Sequence, residues 1–529
     1  MKTRSAARRL QIISAWAVMA VVSLSCSQGY VSPAELTATA VAQGVISTTE
    51  VPATPSAVAP VVNTEPVISA IPTFTDMPDI TSTPRPTRTP DPNATPKPPI
   101  QYYTQAGDTL PSITGRFGVS ADQIVATTAI PENGLINPGI LLIIPDVLDE
   151  VYDSTLVMPD SEVVYSPSAS GFDIAAFVEN AGGYLSQYKE TIGSKQYNGA
   201  EVVQRVALEN SINPYLLLAL LEYKSGWLYD QSVDWPGTEY PMAMYRKEYK
   251  GLYKQLSWTV QQLNIGYYGW RAGTLSSLQF RDGSTVRISP GLNAGSAAVQ
   301  YLFSRWYDRF EWAGALYGAE SMPELMKSMF GDPWIRSQAV EPLYPVDLQQ
   351  PEFQLPFQYG RVWNFTGGPH SAWGDDGALA AIDFAPPSAV SGCAKSNEWV
   401  TAVAAGVIAR SGDGVVILDL DGDGDEQTGW NIMYLHIETS ERVSAGTVVA
   451  AGDKIGHPSC EGGISTGTHT HIARKFNGEW ILADGPLSFN LSGYVAKKGD
   501  APYKGKLVNG DDKVIADSQS SVKSNIQLP

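Results

Sequence analysis

Two histidines, His469 and His471, stand two positions apart in the stretch Thr466-Gly467-Thr468-His469-Thr470-His471. In an extended segment, residues i and i+2 point to the same face, so both imidazoles can reach one metal ion or one substrate. The same pair on a solvated strand would have no chemical role. The five histidines of the 529-residue chain all lie between residues 370 and 471, however, at His370, His436, His457, His469 and His471. Imidazoles clustered in this way indicate a metal site.

The sequence around these histidines predicts strands. From about residue 355 the chain is rich in Gly, Val and Ala, and short apolar segments alternate with turns such as Ser411-Gly412-Asp413-Gly414. Short apolar segments between glycine-containing turns are typical of a sheet. Strands are predicted at 400–409, 415–420, 432–437 and 471–474. We therefore predict an antiparallel all-β domain at 355–495, followed by a C-terminal tail at 496–529.

Several motifs of this domain occur in the order found in one enzyme family. They are Ile382-Asp383-Phe384-Ala385-Pro386, Val403-Ala404-Ala405-Gly406-Val407-Ile408, Tyr434-Leu435-His436, Gly452-Asp453-Lys454-Ile455-Gly456 and the stretch that contains His469 and His471. On these motifs, residues 357–490 resemble the lysostaphin or LytM type of zinc metallopeptidase, which includes peptidoglycan endopeptidases. The resemblance implies a zinc-dependent endopeptidase with a β-sheet cleft.

The first metal ligand departs from the usual spacing of that family. Most members place this histidine four residues before the aspartate, where this chain has Leu379. The nearest histidine is His370, thirteen residues before Asp383, in Gly367-Gly368-Pro369-His370. This longer spacing resembles the staphylolysin or β-lytic branch. The intervening loop can close because the entropic cost of closure grows slowly with loop length.

The resemblance implies a role for each side chain. His370, Asp383 and His471 would hold one Zn²⁺ and leave an open coordination position for water, as catalytic zinc requires. His436 and His469 would move protons and stabilise the oxyanion. His457 has no counterpart in the family and is predicted to be structural. The alternative is that all five histidines are structural.

The predicted β domain also contains an acidic stretch, Asp419-Leu420-Asp421-Gly422-Asp423-Gly424-Asp425. Its alternate carboxylates, with Gly424 in the sixth place, resemble the start of a Ca²⁺ loop. The twelfth position is Trp430, where such a loop has glutamate. We therefore favour an acidic hairpin turn over a Ca²⁺ site.

Composition and the N-terminus indicate an exported protein of several domains. A total of 36 Lys and Arg against 54 Asp and Glu gives a net charge of −18, which disfavours a nucleic-acid partner.

Basic residues followed by an apolar run at 10–24 predict a signal peptide at 1–26. Its end, Ser23-Leu24-Ser25-Cys26, resembles a bacterial lipobox, with Ser23 where leucine is usual. Cys26 is therefore either a lipidated membrane anchor at the cell envelope or part of an ordinary cleavage site. The Thr- and Pro-rich residues 27–100 predict a disordered, extended stalk.

The chain has three cysteines, an odd number for an exported protein. If Cys26 carries lipid, Cys393 and Cys460 are left to form a disulfide. Two unpaired thiols are the alternative.

Residues 101–146 predict a small domain of order βααβ, with Thr109 as the cap of its first helix. The segment from Tyr103 to Leu110, Arg116-Phe117-Gly118-Val119 and Asn137-Pro138-Gly139 resemble a LysM module. The resemblance implies binding to N-acetylglucosamine-containing glycans such as peptidoglycan through the loops at 107–110 and 130–136. The residues of the first loop are Gly107, Asp108, Thr109 and Leu110. The alternative is that Gly107-Asp108 only makes a turn.

Residues 172–345 predict a mostly helical domain. Asn213 and Pro214 begin a helix that Gly226 ends, and its leucines predict that it is buried. This segment resembles the catalytic helix of lysozyme-like lytic transglycosylases, but Lys224 occupies the position of their catalytic acid. Because lysine cannot replace that carboxyl, and Glu222 points about 200° away, we predict an inactive relative. Nearby aromatic residues fit either a sugar groove or the core, and we favour the core: Trp258, Tyr267, Tyr268 and Trp270.

Taken as a whole, the sequence predicts a multidomain α+β cell-wall hydrolase. A zinc endopeptidase would cut stem peptides or cross-bridges of peptidoglycan while the LysM module holds it to the wall. Two alternatives stay open. One is a non-catalytic wall-binding adaptor or activator, and the other is a lytic transglycosylase, which Lys224 disfavours.

Overall fold

The computed structural model describes residues 97–148, 151, 154–345, 347–388 and 391–528. The predicted signal peptide, the Cys26 lipidation site and the predicted stalk up to residue 96 lie outside the described residues. The described chain forms a small module, then a helical part (154–345), then a β part (347–528). None of its helices has both the length and the apolar composition needed to cross a membrane.

The small module is a three-stranded sheet with one helix. Its strands are β1 (Ile100–Tyr103), β2 (Val125–Ala126) and β3 (Leu141–Ile144), in the order β1-β3-β2, and its helix is α1 (Leu110–Phe117). Thr109 caps α1 as predicted, since its side chain accepts the N–H of Ser112. The predicted second helix is wrong, because Ala121–Gln123 makes a single 3₁₀ turn. The β-branched residues Ile124 and Val125 favour an extended chain, which pairs with β3 as β2.

The helical part is mostly α-helical, as predicted, and adds two short hairpins. Its helices are α2 (Ile174–Ala181), α3 (Tyr184–Gln187), α4 (Gly199–Asn210), α5 (Pro214–Ser225), α6 (Leu252–Arg271), α7 (Ala294–Trp306), α8 (Arg309–Tyr317), α9 (Met322–Phe330) and α10 (Pro333–Ser337). The hairpins are β4 (Lys189–Ile192) with β5 (Lys195–Asn198), and β6 (Ser277–Gln279) with β7 (Thr285–Arg287). Single 3₁₀ turns lie at Asp160–Glu162, Pro167–Ala169 and Lys247–Tyr249.

Helix α5 lies in the core of this part. Asn213 accepts the N–H of Tyr215, Pro214 opens the helix, and Gly226 ends it in the left-handed conformation at φ 66°, as predicted. The six residues from 216 to 221 are fully buried. Four aromatic residues of α6 were predicted to belong to the core, and this is confirmed because each side chain is less than a tenth exposed: Trp258, Tyr267, Tyr268 and Trp270.

The β part is built around one nine-stranded sheet. Its strands are β8 (Val362–His370), β9 (Ala381–Ala385), β11 (Gly406–Gly412), β12 (Val415–Asp419), β13 (Trp430–Leu435), β14 (Val448–Val449), β16 (Thr470–Phe476), β17 (Glu479–Trp480) and β22 (Asn525–Gln527). They follow the order β14-β11-β12-β13-β16-β9-β8-β22, and β17 pairs with β16. Two further strands, β10 (Val400–Thr401) and β15 (Lys454–Gly456), pair with each other. All the pairings are antiparallel, as predicted.

The predicted C-terminal tail is wrong. The chain continues as a four-stranded sheet of β18 (Asn490–Leu491), β19 (Tyr494–Lys498), β20 (Gly505–Asn509) and β21 (Asp512–Ile515), and β22 then joins the large sheet beside β8. A 3₁₀ turn at Val522–Ser524 precedes β22. The physical reason is burial, since Leu507, Val514 and Ile526 pack into the core of the β part. One apolar residue per short strand is a weak pattern among many lysines and aspartates.

The two faces of the large sheet belong to two different cores. On one face, Ile408, Val416, Leu418, Ile432, Tyr434 and Ile472 pack within the β part. On the other face, Ala409, Val415, Ile417, Met433, Leu435 and Ala473 pack against the helical part in one continuous core. The helical part therefore covers one face of the large sheet.

Candidate active site

The three predicted metal ligands come together on neighbouring strands. His370 ends β8, while Asp383 of β9 lies directly opposite His471 of β16. Asp383 Oδ1 lies 3.2 Å from both His370 Nε2 and His471 Nδ1. The two nitrogens are 2.9 Å apart. The ligand atoms therefore converge on one position, on the sheet face that the helical part covers.

Two glycines of β8 allow neighbouring segments to lie close to this strand. Gly367 lies opposite Asp383, and a Cβ at this position would lie 2.4 Å from Asp383 Oδ2. A Cβ on Gly368 would lie 2.5 Å from the carbonyl oxygen of Lys504. The Gly367-Gly368 pair before His370 is therefore required by close contacts on both sides of the strand.

Backbone carbonyls hold the outer nitrogen of each ligand histidine. His370 Nδ1 lies 2.8 Å from the Gly368 carbonyl oxygen, and His471 Nε2 lies 3.0 Å from that of Ala372. Each of these nitrogens must carry the proton, since a carbonyl can only accept. The lone pairs of His370 Nε2 and His471 Nδ1 are therefore free to face Asp383. Outer-shell bonds of this kind orient metal-binding imidazoles.

The three side chains fit a metal ion. Asp383 Oδ1 is buried and accepts no hydrogen bond, because the nearby ring nitrogens carry their protons on the far side of each ring. Burial alone would raise the pKa of Asp383, but the imidazoles of His370 and His469 hold it well below its usual value. Burial lowers the pKa of His471, so this ring is held neutral. One carboxylate oxygen and two imidazole nitrogens form a donor set that zinc prefers.

The two predicted proton-transfer histidines lie beside this group. The His469 ring centroid is 4.5 Å from that of His436, and His469 Nε2 is 3.8 Å from Asp383 Oδ1. His436 Nδ1 donates to the Glu461 carbonyl oxygen and His469 Nδ1 to that of Gly467, at 2.8 and 2.7 Å. Both Nε2 atoms are thus left as the basic nitrogens. Burial, followed by the neighbouring His469 and His471, lowers the pKa of His436 to about 3.

His436 has an unusual backbone conformation. It follows the last residue of β13 and has φ 66°, a left-handed conformation that is uncommon for residues other than glycine. The isolated pairing of Ile437 with Pro458 holds the chain on its far side. Strain of this kind often occurs at functional sites.

His457 lies outside the group, in line with its predicted structural role. Its Nδ1 donates to the Glu398 carbonyl oxygen at 2.8 Å, and its ring packs on Trp399 at 3.9 Å. The predicted disulfide between Cys393 and Cys460 is confirmed. It ties the segment after β9 to the loop that precedes His469.

Tyr503 is a site residue that the sequence did not predict. This residue lies in the turn between β19 and β20, where a tail was predicted, and its ring stacks on His370 with centroids 4.0 Å apart. The Gly368 amide donates to the Tyr503 carbonyl oxygen at 2.9 Å, which fixes the turn. Burial, followed by the charge of Asp383, raises the pKa of Tyr503, so its hydroxyl keeps its proton. No sequence signal marked it apart from a lone aromatic residue in a polar turn.

A cavity of about 2430 Å³ lies over these residues, between the β part and the helical part. The ligand group, His436, His469 and Tyr503 line one side. Residues of β5, α4 and α6 line the other side, and they include Tyr197, Arg205, Tyr253, Trp258 and Gln261. The helical part therefore forms a wall of the cleft.

Buried ion pairs fix the helical part in this position. Arg271 of α6 contacts Glu479 of β17 through Nε and Nη2, at 3.0 and 3.1 Å, and contacts Asp160 through Nη2 at 2.9 Å. Tyr267 donates to the same Glu479 carboxylate at 2.8 Å. The Trp480 amide donates to the Tyr268 hydroxyl at 2.9 Å. Each group is paired, as buried charges require.

The predicted glycan-binding turn of the small module faces the helical part. Asp108 is buried, pairs with Arg116, and accepts from the Tyr102 hydroxyl at 2.6 Å. Thr109 is occupied as the cap of α1. A Cβ on Gly107 would overlap Arg271, and Leu110 is partly buried. In this arrangement the turn is an interface rather than a free surface.

Lys224 and Glu222, the two residues compared above with a transglycosylase acid, both lie near the end of α5. Lys224 donates to the Tyr307 hydroxyl at 3.0 Å and lies over the Trp306 ring, and burial lowers its pKa to about 8. Glu222 accepts the Leu228 amide at 2.8 Å, beyond the end of α5. Both residues therefore have structural partners.

The chain is similar to several known proteins. The family "LasA, N-terminal domain" matches residues 156–344, so the helical part begins before the predicted residue 172. Protease LasA of Pseudomonas aeruginosa is 26% identical over 355 residues, which cover 62% of this chain and 76% of that protein. Among solved structures, the metalloprotease pseudoalterin from the deep sea is 23% identical, covers 32% of this chain and 96% of its own, and has a TM-score of 0.27.

A second relative covers the β part. The β-lytic metalloendopeptidase of Lysobacter enzymogenes is 30% identical over 143 residues, which are 27% of this chain and 76% of that protein. The matched share of that protein and the converging His, Asp and His side chains point to the same chemistry. The chain therefore belongs to the β-lytic metalloendopeptidase family and is a metal-dependent endopeptidase.

Proposed function

We propose that this endopeptidase uses one zinc ion to cut the peptide part of peptidoglycan, either stem peptides or cross-bridges. The observation that carries the proposal is Asp383 Oδ1, a buried carboxylate oxygen without a hydrogen bond, 3.2 Å from two imidazole nitrogens. The substrate class follows from the resemblance to lysostaphin-type enzymes.

His370, Asp383 and His471 would hold the metal. When bound, zinc supplies a Lewis acid that activates water and polarises the scissile carbonyl. Two imidazoles and one carboxylate leave a coordination position open for these reactants.

His436 and His469 serve as the proton-transfer residues in this proposal. Their Nδ1 atoms donate to backbone carbonyls, so each Nε2 is available to accept a proton from water and return it to the leaving amine. The depressed pKa of His436 keeps its imidazole neutral at pH 7. Such a ring can take up a proton only during the reaction.

Tyr503 serves as a hydrogen-bond donor to the oxyanion. Its ring packs on His370, and it keeps its proton at neutral pH. A phenol fixed beside the ligand group can donate to the negative oxygen that develops on the scissile carbonyl.

The helical part would line the substrate path. Its aromatic and basic side chains face the ligand group across the cavity, and apolar and charged walls together suit a peptide with carboxylate groups. Stem peptides of peptidoglycan are of this kind.

Two further parts of the chain would bring the enzyme to the cell wall. The small module would bind glycan as a LysM module, which requires Gly107 and Leu110 to separate from the helical part. The protein would be exported to the cell envelope, with Cys26 as the lipid anchor. Tethering raises the local substrate concentration without new contacts in the cleft.

The test is release of amino groups from purified peptidoglycan by the zinc-loaded full chain. Walls with direct cross-links and walls with glycine bridges are compared, and mass spectrometry of the products identifies the bond. We expect amines from at least one wall type and none with His469→Ala. His457→Asn, which keeps a donor toward Glu398, is the matched control and should remain active.

Absence of amine release from every wall type, with one zinc bound per chain, would overturn the proposal and favour the wall-binding adaptor. Release of reducing sugars by His469→Ala would instead favour the transglycosylase.

A further inference from the structure

The acidic stretch forms the loop between β12 and β13. This loop lies at the end of β13 opposite to His436. Carboxylate oxygens of Asp419, Asp421 and Asp423 all lie within 4.8 Å of one another. Asp419 is fully buried, while the other two side chains are exposed. Three carboxylates at this separation repel one another, and a cation between them would relieve this repulsion.

A fourth oxygen without a hydrogen bond lies beside Asp419 on the returning strand. Asn431 lies directly opposite Asp419 in the register of β12 and β13, so the two side chains stand side by side on one face of the sheet. Asn431 is fully buried, and its amide nitrogen donates to the Thr428 carbonyl oxygen of the loop at 2.6 Å. Its Oδ1 has no hydrogen-bond partner. A buried amide oxygen without a partner is costly unless something else binds it.

In the part of the chain that the structure describes, neither Asp419 nor Asp421 is paired with a lysine or arginine. The neighbouring cations Arg410 and Lys475 both contact Glu426, at 2.6 and 3.0 Å. Asp419 and Asp421 thus lack a counter-charge that a bound ion would provide.

We infer that this loop binds a calcium ion, with Asp419, Asp421, Asp423 and Asn431 as oxygen ligands. Calcium takes six to eight oxygen ligands, and water and loop carbonyls can complete the set. The sequence pattern lacks a carboxylate at its twelfth position, Trp430, but the next residue supplies an amide oxygen from the strand. Four hard oxygen donors without nitrogen or sulfur favour calcium over zinc.

Calcium would also support the contact with the helical part. Asp425, in the same loop, accepts a hydrogen bond from the Ser170 hydroxyl. The Gly429 amide donates to Asn477 Oδ1 at 2.9 Å, and Asn477 Nδ2 donates to the Leu343 carbonyl oxygen at 3.0 Å. An ion that orders the loop therefore stabilises contacts on both sides of it.

The first experiment uses Tb³⁺ as a luminescent substitute for Ca²⁺ on the full chain with its zinc retained. Trp430 lies next to Asn431, so excitation of tryptophan should sensitise a bound Tb³⁺ ion. We expect luminescence that Ca²⁺ displaces, with a Ca²⁺ Kd on the order of 10⁻⁴ M, as in extracellular modules. A 100-fold excess of Ca²⁺ over this Kd should raise the unfolding temperature by about 5 °C.

Three variants decide the outcome. Asp421→Asn should lose the displaceable luminescence and the calcium-dependent shift, whereas Asp511→Asn, in the exposed turn between β20 and β21, should keep both. Asn431→Asp retains an oxygen donor and adds charge, so it should bind Ca²⁺ about tenfold more tightly. Equal shifts with Mg²⁺ and Ca²⁺, or a calcium shift that persists in Asp421→Asn, would overturn the inference.

Discussion

The two ends of strand β13 carry two groups of potential metal ligands with opposite character. At one end, His436 adjoins a group of two imidazoles and one carboxylate that faces a cavity of about 2430 Å³. At the other end, Asn431 adjoins three carboxylates in a loop. Both groups leave one buried oxygen without a hydrogen bond, Asp383 Oδ1 and Asn431 Oδ1.

This difference in ligand chemistry would allow one sheet to hold two different ions at separate sites. Ring nitrogens at the first group favour zinc, and a set made only of oxygens at the second favours calcium. The two ligand groups also differ in their location. The first group opens into the cleft, where an ion can meet substrate, whereas the second lies beside the contact with the helical part, where an ion can only stabilise structure.

The largest expected effect separates the two groups by activity. Asp383→Ala should lower kcat/KM by about 10³-fold or more, since a metal Lewis acid contributes several kcal/mol to the transition state. The same change should reduce bound zinc to below one per chain. Asp421→Asn should keep both zinc and activity in excess calcium. Zinc content by atomic emission and amine release check this expectation, and an active Asp383→Ala protein would contradict the assignment.

The next effect concerns the part that covers both groups. Arg271→Met leaves Glu479 as a buried carboxylate without its partner, so the free energy of unfolding should fall by about 3–5 kcal/mol. Arg361→Met removes a half-exposed pair with Glu398 and should cost about 1 kcal/mol or less. Denaturant unfolding followed by tryptophan fluorescence measures both. Equal small losses would mean that the helical part is held loosely.

The smallest effect tests the chemistry of the first group alone. Tyr503→Phe should lower kcat by about 10- to 100-fold, since one oxyanion donor is lost from a half-exposed position. Zinc content should stay unchanged because the ring still packs on His370. Tyr359→Phe, on an exposed tyrosine outside the cleft, is the control. An unchanged kcat in Tyr503→Phe would reduce this residue to a packing role.

Short motifs predicted the ligand group because the chemistry depends on local spacing. His469 and His471 alternate along one strand, and the Gly367-Gly368 pair lies just before His370, so their sequence pattern already reflects the sheet. The antiparallel order and the Cys393–Cys460 bridge were predicted for similar reasons. The ligand group was predicted from short motifs, and the bridge was predicted from the number of cysteines.

Features that depend on tertiary pairing could not be predicted in the same way. Tyr503 reaches His370 only because β19 and β20 place their turn beside β8, and the lysine-rich sequence gave no sign of that sheet. Asn431 becomes part of the acidic loop only through its register with Asp419. The second helix predicted for the small module is absent because the β-branched residues Ile124 and Val125 favour an extended chain, which pairs with the distant strand β3.

The shared core between the helical part and the large sheet has a practical consequence for how this enzyme can be produced. A protein shortened to residues 350–510 would present Val415, Ile417, Met433 and Leu435 to water, since their cover would be missing. It would also lack β22, leaving β8 as an open edge. Exposed apolar faces and unpaired edges promote aggregation. Such a fragment should accumulate as inclusion bodies, and soluble enzyme should require the chain from the small module through residue 528.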